Sequence, residues 1–242
     1  MIHSATELVD YIHEVGFLPL LYSGISGYSA EDVVDSDCRY VVYDDGWDWP
    51  LWKWKGPIVT EGGCVYGKFF DKKAGFISQE WWPDFMNWRR HAHPVIAEGS
   101  IEESILMTLR EHGSLITRDL RRLCGFTEPN IPIKREQNRV YSNSAERKVA
   151  RPVGNTRSRF DGYITRLQMA CRIVTEDFVY PRDKHNREYG WGWALLTTPE
   201  QLLGKVACCC DRTPQESMER IVTHFHHILP QASEKQIMKL LK

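Results

Sequence analysis

The chain has 242 residues, 42% of them hydrophobic and 26% charged, and carries a formal net charge of −1. That balance suits one large or two small globular domains with a real core and excludes a disordered chain. No run of about 18 apolar residues occurs, and the start MIHSATELVDYIHEV lacks a basic segment, an apolar stretch and a small-residue cleavage site, so neither a transmembrane helix nor a signal peptide is expected.

In chain order, Ser4 with Glu7 makes a capping-box pattern for a helix over 4–15, whose Leu8, Tyr11, Ile12 and Val15 share a face and which Gly16 ends. Ser29 with Asp32 caps a short second helix, and RYVVY at 39–43 predicts a strand. The segment WDWPLWKWKGPIV follows at 47–59. Trp47, Trp49, Trp52 and Trp54 cannot all lie on one face of a helix or a strand, so some must reach a surface or cleft. Tryptophan is more often core. Together with Asp44, Asp45 and Asp48, however, the four are candidates for stacking on an extruded base, where rings hold the base and a polar group orients water. Val65–Phe70 and 74–77 predict a hairpin about the turn 71–73. Ser78 is an expected N-cap for QEWWPDFMNWRRH, with Trp81, Phe85 and Trp88 on its apolar face. These elements make an aromatic-rich N-terminal α+β lobe over 1–99.

Residues 100–199 predict a winged helix. Ser100 caps a helix to His112, with Ile101, Ile105, Leu106 and Leu109 on one face, and Gly113 terminates it. Thr117 is expected to cap a second helix through Leu123, closed by Gly125. A basic insertion at about 127–156 intervenes. The third helix, about 158–171, carries the stripe Phe160, Ile164, Leu167 and Cys171. RIVTEDFVY and WGWALLT predict two strands around the charged turn PRDKHNREYG. Helix, helix, helix, strand, charged tip, strand is the winged-helix order, with the hairpin as the wing.

Charge distribution supports an anion-facing surface in this region. Between Lys134 and Arg166, nine basic residues against three acidic ones leave +6, so the rest of the chain carries −7. The candidate DNA contacts are Lys134, Arg135, Arg139, Arg147, Lys148, Arg151, Arg157, Arg159 and Arg166, with Arg182, Lys184 and Arg187 at the wing tip. A merely solvated basic loop is the competing reading.

Residues 200–242 predict a C-terminal helical extension: a helix from Thr198 or Pro199, another capped by Thr213 with Met218, Ile221, Val222 and Phe225 inward, and a last one from Ser233. It is expected to pack on the winged helix or on a second copy of the chain. The seven cysteines are odd in number and lack a C-x-x-C pair, which predicts reduced thiols and a cytoplasmic location. Cys208, Cys209 and Cys210 with His224, His226 and His227 invite a metal reading. Three consecutive cysteines point in different directions, however, so no metal and no cofactor is expected.

The strings YGKFFDKKAGFISQEWWPDFMNWRR at 66–90, FDGYITRLQMACRIVTEDF at 160–178 and YGWGWALLTTPE at 189–200 resemble those of the AlkZ-related bacterial proteins. These are grouped loosely with the winged-helix alkylpurine DNA glycosylases of the AlkZ/YcaQ type. The resemblance to the AlkZ-related group covers most of the chain; that to the glycosylases is distant and at fold level. It implies a winged-helix build and a role linked to DNA repair. Two features depart from the glycosylases. Their chains are longer, with winged helices in tandem, and their catalytic Gln-x-Gln pair occurs nowhere here, Gln168 included. No catalytic residue is therefore carried over.

The expectation is an α+β winged-helix protein that binds duplex DNA without crossing a membrane. Two alternatives stay open: a small monofunctional DNA glycosylase of the AlkZ-like superfamily, and a winged-helix module without enzymatic activity that contacts a protein partner or forms a homodimer.

Overall fold

A computed structural model describes residues 1–43, 46–126, 156–188 and 190–242. In chain order the elements are α1 (Ala5–Val15), β1 (Phe17–Pro19), α2 (Ala30–Val33), α3 (Ser36–Arg39), β2 (Val41–Tyr43), β3 (Gly46–Asp48), α4 (Pro50–Thr60), β4 (Cys64–Phe70), β5 (Lys73–Ser78) and α5 (Trp82–Ala92). There follow α6 (Ile101–His112), β6 (Leu115–Ile116), α7 (Thr117–Leu123), α8 (Thr156–Met169), β7 (Val174–Val179), β8 (Trp193–Thr197), α9 (Pro199–Leu203), α10 (Pro214–Ile228) and α11 (Glu234–Leu240). The class is mixed α+β, and no described helix is long and apolar enough to cross a membrane.

Local chemistry sets most boundaries. The side chains of Ser4, Ser29, Ser100, Thr213 and Ser233 each accept a backbone N–H in the first turn of their helix. Asp71 and Lys72, at φ 47° and 66°, form the left-handed pair that a tight turn between β4 and β5 requires. Gly16, at φ 75°, closes α1 against Trp81, whose ring would lie 2.5 Å from any added Cβ.

Three expected details differ. Ser78 does not cap a helix. It ends β5 with its hydroxyl buried and unpartnered among the described residues, and α5 starts at Trp82, where Pro83 supplies a pre-set first turn. Thr117 does not cap α7 either; its hydroxyl donates to the Ala194 carbonyl (3.2 Å), and the preceding residues form the short strand β6. Finally, α10 and α11 pack chiefly on the N-terminal half, in a core that Cys171, and Val174 of β7, also enter. Ile221, Phe225, Ile237 and Leu240 of the two helices share that core with Leu8, Phe17, Phe69 and Phe85.

Asp84 on α5 fastens α10. It is 1% exposed and accepts from Ser217 (2.9 Å), Arg212 (3.1 Å) and Arg220. Burial pushes its carboxyl up; hydrogen bonds from Ser217, Arg220 and Cys210 outweigh that and hold it below the ordinary carboxylate value.

The main sheet is antiparallel with order β1-β5-β4-β7-β8-β6, and β2 and β3 form a separate two-stranded ribbon. Strand β4 meets β7 at Tyr66–Thr175, so the first hairpin and the second belong to one sheet. Gln168, 4% exposed at the end of α8, bridges this seam: its Oε1 accepts from the Lys68 N–H (3.3 Å) and its Nε2 donates to Thr175 Oγ1 (3.4 Å). A second, smaller core holds Ile105, Leu109, Leu120, Phe126, Phe160, Ile164, Leu167 and Leu196.

Candidate nucleic-acid interface

Helix α8 buries Phe160, Ile164 and Leu167 of the expected stripe; it ends at Met169, so Cys171, also buried, lies beyond it at φ 52° and joins the larger core. Arg159 and Arg166 point outward, as the spacing predicts. Arg166 is not idle: it pairs with Glu102 on α6 at 2.7 Å and lies 4.5 Å from the Tyr163 ring centroid. Arg157 lies on α8, and its side chain is outside the described set, as are Lys134, Arg135, Arg139, Arg147, Lys148 and Arg151.

The β7–β8 loop carries its own order. Asp183 accepts from the backbone N–H groups of His185 (2.8 Å) and Arg187 (3.0 Å), and pairs with the Arg187 guanidinium at 3.1 Å. These contacts, the Arg187 N–H first, hold its carboxyl below the ordinary value. Arg182 pairs with Glu188 at 3.0 Å and donates to Asn186 at 3.2 Å. Lys184 stands exposed between them. Both arginines are therefore paired with a carboxylate of their own loop.

Of the N-terminal tryptophans, Trp49 and Trp52 come together and Trp54 lies apart from them. Trp47 lies in β3 opposite Val42, with its side chain outside the described set. Trp54 is half-buried against the larger core. The Trp49 and Trp52 rings lie 4.9 Å apart, tilted by 33°, and both are T-shaped to Trp191 of the β7–β8 loop, at 6.0 and 5.4 Å. The Trp52 indole N–H also donates to the Trp191 carbonyl (3.0 Å). Asp44 and Asp45 lie outside the described residues, and Asp48 is taken up by an ion pair with Lys53 at 2.7 Å.

Beneath this cluster lies Lys55, 1% exposed. Its Nζ sits 3.1 Å from the Trp52 ring centroid and 4.1 Å from that of Phe178. Burial pushes this amine down to about 7. Sequence reading missed Lys55 and Trp191. The first sits in a charged-looking W-K-W-K run. The second had a signal: glycines at 190 and 192, both at positive φ, flank it and fix an irregular turn. A Cβ at Gly192 would come within 2.9 Å of the Tyr180 ring, so that close approach demands glycine. Arg118 on α7 lies 4.9 Å above the Trp193 ring and was also unmarked.

No group of three His, Cys, Asp or Glu side chains able to hold a metal ion occurs among the described residues. Cys208, Cys209 and Cys210 are free thiols; Cys210 Sγ lies 3.5 Å from Asp84 Oδ1, and Cys209 points to the Lys205 carbonyl.

Fold and site together define a mixed α+β protein with a cation-bearing hairpin set against a tryptophan cluster. The family model described as AlkZ related matches residues 2–242, nearly the whole chain, and the chain belongs to that family. No curated protein and no solved structure matches it.

Proposed function

We propose that the chain is a winged-helix DNA-binding protein with a role in DNA repair. The observation that carries this reading is the order α6–β6–α7–α8–β7–β8 among the described residues, with β6 paired to β8 and β8 to β7. That order supports a winged-helix plan of helix, strand, helix, helix, strand and strand, and in this reading α8 is the recognition helix and the β7–β8 loop the wing. Membership in the AlkZ-related family supports the link to repair. In this reading the domains are 1–99, 100–199 with its insertion at about 127–156, and 200–242. The basic residues of the insertion, of α8 and of the wing meet the phosphates of duplex DNA, largely without regard to sequence. Glycosylase chemistry is assigned to no residue, because the Gln-x-Gln pair is absent from the sequence.

The test is salt-dependent binding to a duplex. Changing Arg182, Lys184 and Arg187 together to Ala is expected to weaken binding and flatten the slope of log K against log salt by roughly 0.9 for each phosphate that is no longer neutralised. An unchanged affinity and slope would remove the wing from the interface. Incubating excess protein with alkylated duplex DNA and measuring released base checks the catalytic alternative.

A further inference from the structure

We propose that Arg110 and Arg172, brought to one junction where the ends of α6 and α8 meet the start of α9, bind a phosphate group, either free or carried by a nucleic acid. Neither arginine belongs to the DNA contacts assigned above, and the site does not depend on that reading. Hydrogen bonds across the junction hold the parts in place. The Gln201 side chain donates to the Leu109 carbonyl (3.2 Å), which sets α9 beside Arg110 in the last turn of α6. Arg90, in the last turn of α5, donates through Nε (3.2 Å) and Nη2 (3.0 Å) to the carbonyl of Cys171, whose left-handed φ of 52° leads the chain out of α8 into Arg172. The other arm of Arg90 pairs with Glu200 on α9 at 2.6 Å.

Charge and hydrogen bonding select the ligand. Arg90 and Glu200 neutralise each other, whereas Arg110 and Arg172 have no ion-pair partner among the described residues. The positive charges of that pair are left over, which suits a phosphate near neutral pH. The Arg172 Nε is buried and makes no hydrogen bond among the described residues. A buried N–H of a charged group is costly to leave unpaired, and an oxyanion supplies the acceptor. Burial first, and then Arg90 and Arg110, push the Arg172 guanidinium below its ordinary value against the pull of Glu200, so a further negative charge there is favoured. Arg110 is exposed, and the Arg90 and Glu200 side chains keep 22% and 36% of their surface open, so the junction is reached from solvent. Two guanidinium forks engage more oxygens of a tetrahedral phosphate than a carboxylate offers.

The experiment titrates the full chain with inorganic phosphate in a calorimeter at constant ionic strength. The wild type is expected to bind phosphate saturably and acetate much more weakly. Arg172→Gln and Arg110→Gln should each weaken phosphate binding by about tenfold, the loss of one charge-assisted contact. Lys235→Gln, which removes the same charge from an exposed site on α11, should leave it unchanged. Thermal melting checks that the variants fold, and the exposed Arg110 keeps the test decisive should Arg172→Gln fail to. Duplex titration of the same variants separates the two sources. Weaker duplex binding by both arginine variants, with phosphate competing, identifies a nucleic-acid phosphate; duplex binding that neither variant changes identifies a free phosphate or monoester. No saturable phosphate binding by the wild type, equal binding of acetate, or wild-type phosphate affinity in both arginine variants overturns the proposal. Those results leave the DNA-binding reading standing, since the wing variant tests it separately.

Discussion

At the scale of single residues, Lys55 is the least expected feature of the chain. An ammonium is seldom buried without a carboxylate, because desolvation of the charge costs several kcal/mol. Here the partners among the described residues are the Trp52 and Phe178 rings, and the amine is held near 7. The consequence for stability has a definite sign. Between about pH 7 and the ordinary lysine value, the unfolded chain holds a proton that the folded chain has released. The Lys55 contribution therefore rises with pH across that window, and the full burial penalty applies below it. Lys55→Met keeps the unbranched volume and removes the charge. Its unfolding free energy is expected to exceed that of the wild type below pH 7 by on the order of a few kcal/mol, with the gap closing towards pH 10. Urea melts of both proteins at pH 6, 8 and 10 measure this, and parallel curves would show that the amine is solvated.

At the scale of elements, α8 separates two roles that sit side by side in its sequence. Leu167 is 1% exposed in the smaller core, whereas the adjacent Arg166 side chain is 59% exposed. Leu167→Ala is expected to cost about 2–5 kcal/mol, as a cavity that its packed neighbours fill only in part. Arg166→Ala breaks an exposed ion pair with Glu102, worth about 0–1 kcal/mol, and should weaken duplex binding with little change in stability. Equilibrium denaturation and duplex titration of the two variants give opposite patterns if α8 is the DNA-facing helix. A destabilised Arg166→Ala protein with wild-type DNA affinity would make the arginine a structural tie between α6 and α8.

For the whole molecule, the sheet is the decisive feature. The N-terminal strands and the β7–β8 hairpin form one six-stranded sheet, and Gln168 hydrogen-bonds to both sides of the β4–β7 seam. Cys171 and Val174, which follow α8, belong to the larger core with Leu8, Phe17 and Phe225. Arg89 on α5, 3% exposed, donates to the carbonyls of Met169, Leu241 and Lys242, joining three distant parts of the chain. Elements linked in this way should unfold together. Calorimetry is expected to give one transition whose van't Hoff and calorimetric enthalpies agree. Two resolved transitions would mean that the halves on either side of the seam are thermodynamically independent.

Local structure follows from the order of residues alone. Caps at Ser4, Ser29, Ser100, Thr213 and Ser233, the period of α6 and α8, and the β4–β5 hairpin all follow from neighbours within a few residues, where propensity and spacing act directly. The family resemblance was legible too, carried by strings around the hairpins and α8. Ser78 and Thr117 mark where local logic stops. Each is a good cap by type, but strand pairing placed Ser78 at the end of β5, and β8 offered Thr117 a carbonyl 77 residues away. Long-range packing alone makes α10 and α11 cover the N-terminal half, joins β4 and β7 in one sheet, and brings Trp49 and Trp52 to Trp191 over Lys55. Those outcomes depend on which apolar faces meet across more than 100 residues of chain, and hydrophobic burial is non-directional, so the pattern of a segment fixes that its face is buried without fixing against what.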